Sequence, residues 1–182
     1  NCGAYTAVDD AENDIRLSNQ INANAPKAFT EIINEKNSNL LHISTDFVFD
    51  GSNRSPVSES NPTAPLGTYG KSKRGGEERI EASAADWLTV RTSWLFASHG
   101  NNFVRTMLRL ERERDEIKVV SDQFGSPTWT RDLAMALCKL IRGDVKNYIH
   151  FGGLNSCSWF ELANYTLKQA HQIGLILSLI HI

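Results

Sequence analysis

Tyr69 and Lys73, in the stretch Tyr69-Gly70-Lys71-Ser72-Lys73, stand four residues apart. On a helix that spacing puts a phenol and an ammonium on one face, one turn apart. A phenol alone ionises only near pH ~10, and a neighbouring ammonium favours the phenolate, so such a pair can give and take a proton closer to neutrality. The same spacing also arises on solvated helix faces, so the pair alone does not define a site. A second candidate is Ser44-Thr45-Asp46, directly after the apolar run Leu40 to Ile43. Open α/β sheets bind ligands beyond the carboxyl ends of their strands, and a hydroxyl there can orient a substrate oxygen toward a tyrosine. The alternative is a helix cap or turn, and the apolar continuation Phe47-Val48-Phe49 argues against an ordinary cap. A third is Asn1-Cys2-Gly3-Ala4-Tyr5-Thr6, small residues at what reads as another strand end, where backbone can come close to a ligand.

The elements that must position these groups alternate. Short runs rich in Leu, Ile and Val predict strands at Leu40 to Ser44, Leu88 to Arg91, Ile117 to Val120 and Asn147 to Phe151. Helical patterns cover Ala11 to Lys36, with a break near Pro26 that can open the second half, then Tyr69 to Ala84, Asn101 to Glu113, Thr130 to Ile141 and Ser158 to His171. Strands alternating with helices of this length predict an α/β fold with a parallel sheet. Asp50 to Thr68, with Gly51, Pro56, Pro62, Pro65 and Gly67, is a loop too long to be a mere connector, and such loops are usually functional.

Composition excludes several classes. The 182 residues carry 19 Lys plus Arg against 21 Asp plus Glu, without blocks of like charge, so there is no electrostatic footprint for nucleic acid or an anionic membrane surface. The longest apolar run, Ile173 to Ile180, is shorter than the ~20 residues a membrane span needs. Cys2, Cys138 and Cys157 are odd in number and widely spaced, which suggests neither disulfides nor zinc and fits a reducing cytoplasm. The five histidines show no ligand spacing, so no metal site is expected from them and packing roles are the default. Arg109 to Glu116 alternates in sign, as a solvated helix end with internal ion pairs does. Trp87, Trp129 and Trp159 read as packing residues, while Trp94 follows a strand end toward the site.

Six ordered blocks together carry a resemblance. They are Asn1-Cys2-Gly3-Ala4-Tyr5-Thr6-Ala7-Val8-Asp9; Ser44-Thr45-Asp46-Phe47-Val48-Phe49-Asp50-Gly51; Tyr69 to Lys73 with Gly76-Glu77; Arg91-Thr92-Ser93-Trp94-Leu95-Phe96; Gly100-Asn101-Asn102-Phe103-Val104; and Asp122 to Thr128. From residue 1 to about 170 the chain resembles the dTDP-4-dehydrorhamnose reductase family of extended short-chain dehydrogenases/reductases. The resemblance implies a Rossmann-like, doubly wound parallel sheet, incomplete here, with a small substrate-binding subdomain. Residues 1–100 then form the C-terminal part of a dinucleotide-binding domain, and 101–176 a mixed region of substrate-binding helices with strands returning to that sheet. It implies reduction, by NADPH or NADH, of the C4 keto group of dTDP-4-dehydro-L-rhamnose for cell-surface polysaccharide. Thr45, Tyr69 and Lys73 fall on the catalytic residues: Tyr69 gives a proton to the C4 oxygen, Thr45 hydrogen-bonds that oxygen, and Lys73 holds the nicotinamide ribose and lowers the Tyr69 pKa. Gly3, Ala4 and Tyr5 fall with Tyr69 and Lys73 on the cofactor side, and Thr45, Asp46 and Trp94 on the sugar side. The resemblance also brings Mg2+ into consideration, and a homodimer is left open. Competing implications are a nucleotide-sugar epimerase or dehydratase and a non-catalytic subunit like the regulatory subunit of methionine adenosyltransferase.

Two departures stand out. None of the 12 glycines forms a GxGxxG turn, which is the phosphate-binding element of such folds. The expectation is therefore a chain lacking about two ~30-residue β-α units before Asn1 and further residues after His171, and binding dinucleotide poorly by itself. Phe47 stands where many family members carry Tyr, removing a hydroxyl near the sugar. Residues 177–182 do not continue the pattern before them and read as a non-native tail, with a short buried strand as the alternative.

Overall fold

The computed structural model describes residues 1–36, 38–53, 55–83 and 86–176, so the tail expected at 177–182 lies outside the described residues. Two compact units result: Asn1–Thr92 with Cys138–Phe151, and Ser93–Leu137 with the chain from Gly152 onward.

The first unit contains the expected parallel sheet. Strands β1 (Asn39–Thr45), β2 (Asp86–Thr92) and β6 (Asn147–His150) lie in the order β1-β2-β6, all parallel. Leu40 pairs with Trp87 and Thr45 with Thr92, so the two longest strands end level with each other. Before β1, the predicted helical region is α1 (Ile15–Asn19), a π-helical turn at Gln20–Asn24 and α2 (Ala25–Lys36). Pro26 sits in the first turn of α2, where its missing N–H is harmless, so the irregularity lies just upstream of it as an inserted π turn. Helix α3 (Thr68–Glu81) follows the long loop. Asn1 donates to the Leu41 carbonyl and accepts from the Ile43 N–H, so the chain enters alongside β1 and Gly3 to Tyr5 follow past the same edge.

The second unit holds the pairs β3 (Leu95–Phe96) with β5 (Thr128–Trp129), parallel, and β4 (Phe124–Gly125) with β7 (Cys157–Ser158), antiparallel. Helices α4 (Phe103–Glu113) and α6 (Trp159–Gln172) pack around Met107, Ile117, Ala163, Leu167, Ala170 and Ile176. Helix α5 (Thr130–Leu140) runs across the boundary between the units. The strand expected at Ile117 to Val120 does not form. Ile117 and Val119 pack into the helical cluster instead, and the Val120 carbonyl accepts from Phe160 N–H, so the run is apolar because helices cover it. Arg109 and Glu113 form the expected ion pair on the exposed face of α4. Among the described residues no helix is long and apolar enough to cross a membrane, and the three cysteines are free.

Candidate active site

Thr45 ends β1, and the chain turns at once into a short 3-10 segment, Asp46–Val48. The Thr45 hydroxyl accepts from Phe47 N–H at 3.2 Å and donates to Asp46 Oδ1 at 3.1 Å, so Thr45 is a cap after all. The apolar run did not forbid this, because a cap requires only a hydroxyl near an orphan N–H; Val48 turns inward and Phe47 stays 46% exposed. Burial raises the Asp46 carboxyl above the usual range, against the pull of the Thr45 hydroxyl and the local N–H groups.

Helix α3 is brought onto this edge by two glycines. A Cβ on Gly70 would stand 2.2 Å from the Phe47 carbonyl oxygen, and one on Gly76 would stand 2.2 Å from that of Asn22, so only glycine permits the approach on either side. Its first turn is capped from a distance: Gly67 offers no side chain, and Glu12 accepts the Thr68 N–H at 2.6 Å and the Thr68 hydroxyl at 2.7 Å. Tyr69 then stands edge-on to Phe47, with ring centroids 5.5 Å apart.

Burial raises the Tyr69 phenol above its ordinary value; the Thr45 side chain pulls it down and Asp46 pushes it up. Burial dominates, so in this structure the phenol stands above its ordinary value and not below it as a lowering by Lys73 would place it. The Lys73 ammonium is engaged on the sheet side, donating to the Ile43 carbonyl at 2.7 Å with His42 Nε2 at 3.5 Å. Lys73 is itself brought down to about 8, first by burial, against the opposing charge of the Glu77 carboxylate. His42, 1% exposed on β1, is held neutral at about 3 by burial and the nearby ammonium.

A buried polar network unsuspected from the sequence supports this arrangement. The Asn22 amide clamps the Tyr5 peptide, accepting its N–H at 2.8 Å and donating to its carbonyl at 3.0 Å. It also donates to Ser72 Oγ at 2.9 Å, which receives Ser18 Oγ at 2.9 Å and donates to the Tyr69 carbonyl at 2.8 Å. One network thus joins the Gly3-Ala4-Tyr5 stretch to the turn of α3 that carries Tyr69. The π turn is what presents Asn22, as such turns often do at functional sites.

The structure brings Thr45, Asp46, Tyr69 and Lys73 together at the carboxyl edge of the sheet. Trp94 belongs to the second unit, where its ring stacks on Trp159 with centroids 3.5 Å apart and its backbone sits at φ 47°. A Cβ on Gly125 would strike that ring, so β4 needs glycine beneath it. Among the described residues no group of three or more His, Cys, Asp or Glu could hold a metal ion.

An open parallel sheet with Thr45, Tyr69 and Lys73 gathered at its carboxyl edge is a Rossmann-like arrangement, with polar side chains at the edge where such folds bind ligands. The chain belongs to the RmlD substrate binding domain family, which residues 1–179 match. It is similar to dTDP-4-dehydrorhamnose reductase of Burkholderia thailandensis, 48% identical over 74% of this chain and 45% of the relative. The enzyme of that name from Escherichia coli is 39% identical over 98% of this chain and 62% of the relative. A crystal structure of dTDP-4-dehydrorhamnose reductase from Bacillus anthracis in complex with NADP superposes with a TM-score of 0.90 at 41% identity, over 93% of this chain and 60% of that one. The chain thus spans about half to three fifths of the length of these relatives. The α/β, Rossmann-like fold expected from the sequence is borne out.

Proposed function

We propose that the full-length protein is an NAD(P)H-dependent reductase that converts dTDP-4-dehydro-L-rhamnose to dTDP-L-rhamnose in the cytoplasm, for cell-surface polysaccharide. The observation that carries this reading is the convergence of Thr45, Tyr69 and Lys73 in a chain 39% identical, over 98% of its length, to a reductase of that name. The NADP in the Bacillus anthracis relative supports the cofactor class. When bound, the dinucleotide supplies hydride to C4. Tyr69, which burial keeps protonated at neutral pH, gives its proton to the C4 oxygen. The Thr45 proton swings from Asp46 to the same oxygen as negative charge develops there. Lys73, with N–H groups held by the Ile43 carbonyl at 2.7 Å and His42 Nε2 at 3.5 Å, keeps a remaining N–H for the ribose hydroxyls. Gly3, Ala4 and Tyr5 line the cofactor, and because Asn22 takes both polar groups of the Tyr5 peptide, Tyr5 contributes its ring. Asp46 in the first unit and Trp94 in the second are each assigned to the sugar. Residues 1–100 are the C-terminal part of the dinucleotide domain and 101–176 a mixed region of substrate-binding helices with a strand, β6, returning to the sheet, in a protein that forms a homodimer.

The test is Tyr69→Phe in the full-length protein, following loss of reduced nicotinamide absorbance with dTDP-4-dehydro-L-rhamnose. Turnover should fall roughly 10²–10⁴-fold, the scale for a positioned acid, while NADPH affinity holds. Turnover within about twofold of the parent, far inside that scale, rules Tyr69 out as the proton donor.

A further inference from the structure

Tyr69 and Lys73 begin a column on α3 that continues, four residues on, to Glu77. Glu77 is 0% exposed. Its Oε1 accepts Arg91 Nε at 3.0 Å and its Oε2 accepts Arg91 Nη2 at 2.8 Å, a two-pronged clasp, with Arg74 Nη1 a further donor at 3.2 Å. Arg91 is 4% exposed on β2, the central strand, and its guanidinium lies 4.1 Å from the Tyr148 ring centroid and 5.1 Å from that of Phe49. Stability alone does not call for such a pair, since apolar groups of the same volume usually hold a helix to a sheet as well or better. What an apolar pair cannot supply is direction and charge.

We propose that Glu77 is a positioning residue for Lys73: clasped by Arg91, it fixes the rotation of α3 and sets a carboxylate one helical turn from Lys73 on the same buried face. This rests on the reading of Lys73 as the group that holds the cofactor ribose. Lys73 is faced from β1 by the Ile43 carbonyl and neutral His42, from the N-terminal stretch by Cys2, and from its own helix by Glu77, which in turn holds the guanidiniums of Arg91 from β2 and Arg74 from α3. Burial works against the ammonium, and the Glu77 carboxylate is the leading opposing charge.

The experiment is an NMR titration of the full-length protein labelled with ε-13C lysine, the Lys73 signal being assigned by its loss in Lys73→Met. Glu77→Gln should lower the Lys73 midpoint by about one pH unit, and Glu77→Asp, which keeps the charge, should restore most of it. The alkaline limb of the turnover profile should move down with the midpoint. If Glu77→Gln does not fold, the fall of about one pH unit is read between Arg91→Met and Glu77→Gln with Arg91→Met, a comparison in which only the Glu77 charge differs. An unmoved midpoint in the variant that folds overturns the proposal, as does a moved midpoint that the alkaline limb ignores. The titration requires neither substrate nor cofactor, so an inactive parent protein would sink the reductase reading while the midpoint still judged Glu77.

Discussion

The unit of Asn1–Thr92 with Cys138–Phe151 buries Ser18, Asn22, His42, Ser72, Lys73, Glu77 and Arg91 among its aliphatic residues. The cluster at the centre of the other unit is Met107, Ile117, Ala163, Leu167, Ala170 and Ile176, with Phe103 and Val119 against it. Apolar contact is nearly indifferent to direction and rewards filled volume. Hydrogen bonds and ion pairs reward angle and distance, and leave a large cost behind when one partner goes. The difference shows which unit has a geometry to keep: charged and amide side chains are buried in the unit that aims Thr45, Tyr69 and Lys73, whereas among the described residues the buried polar side chains of the other are the hydroxyls of Thr128, Ser158 and Thr166.

The contrast breaks first at Arg91. Arg91→Leu leaves the Glu77 carboxylate buried with Arg74 as its remaining cation, and should cost about 3–5 kcal/mol in denaturant unfolding. A cost under about 1 kcal/mol, the scale of an exposed pair, would mean that the polar interior does not hold this unit. Arg91→Lys should rescue little, because an ammonium cannot reproduce the planar clasp. Next in size is Leu167, 1% exposed on α6. Leu167→Ala should cost about 2–5 kcal/mol, whereas Leu167→Met should cost under about 1.5 kcal/mol because volume is kept. Conservative exchange should thus rescue one unit and fail in the other. Equal tolerance at both positions would erase the distinction.

How much of this was readable follows from distance along the chain. Tyr69 and Lys73 were readable because one helical turn relates them, and Thr45 because it ends an apolar run. Glu77 extends the same column and Arg91 is a charge in an apolar strand, so a signal existed, although their pairing did not follow from it. Ser18, Asn22 and Ser72 carried none: polar residues inside helical patterns ordinarily face water, and the bonds that bury these three join positions 50 and 54 residues apart. The π turn was likewise hidden, since no residue type marks an inserted residue as Pro marks a helix start. The parallel sheet came through because strands and helices alternate, while Ile117 to Val120 misled because a short apolar run looks alike under helices and in a sheet.

The smallest effect separates the units by pH alone. His42 is buried and neutral at about 3 in the folded protein, against an ordinary value of 6.5. Between those limits the unfolded chain binds a proton that the folded chain refuses, so stability falls as pH drops through 6.5. By pH ~5 the loss should be about 2 kcal/mol, a figure set almost wholly by the unfolded value because the folded one lies well below. Asp46, raised by burial, works in the opposite sense, since the folded state takes up its proton more readily. The measurement is therefore the difference between parent and His42→Gln, each followed from pH ~7.5 to pH ~5 by hydrogen exchange corrected for intrinsic rates. Amides of β1 should lose about 2 kcal/mol more protection in the parent than in the variant. Amides of α6, whose unit buries an apolar cluster, should change alike in both proteins. If the β1 amides of parent and variant followed one curve, His42 would be taking up its proton in the folded state, and the neutral partner assigned to Lys73 would be gone.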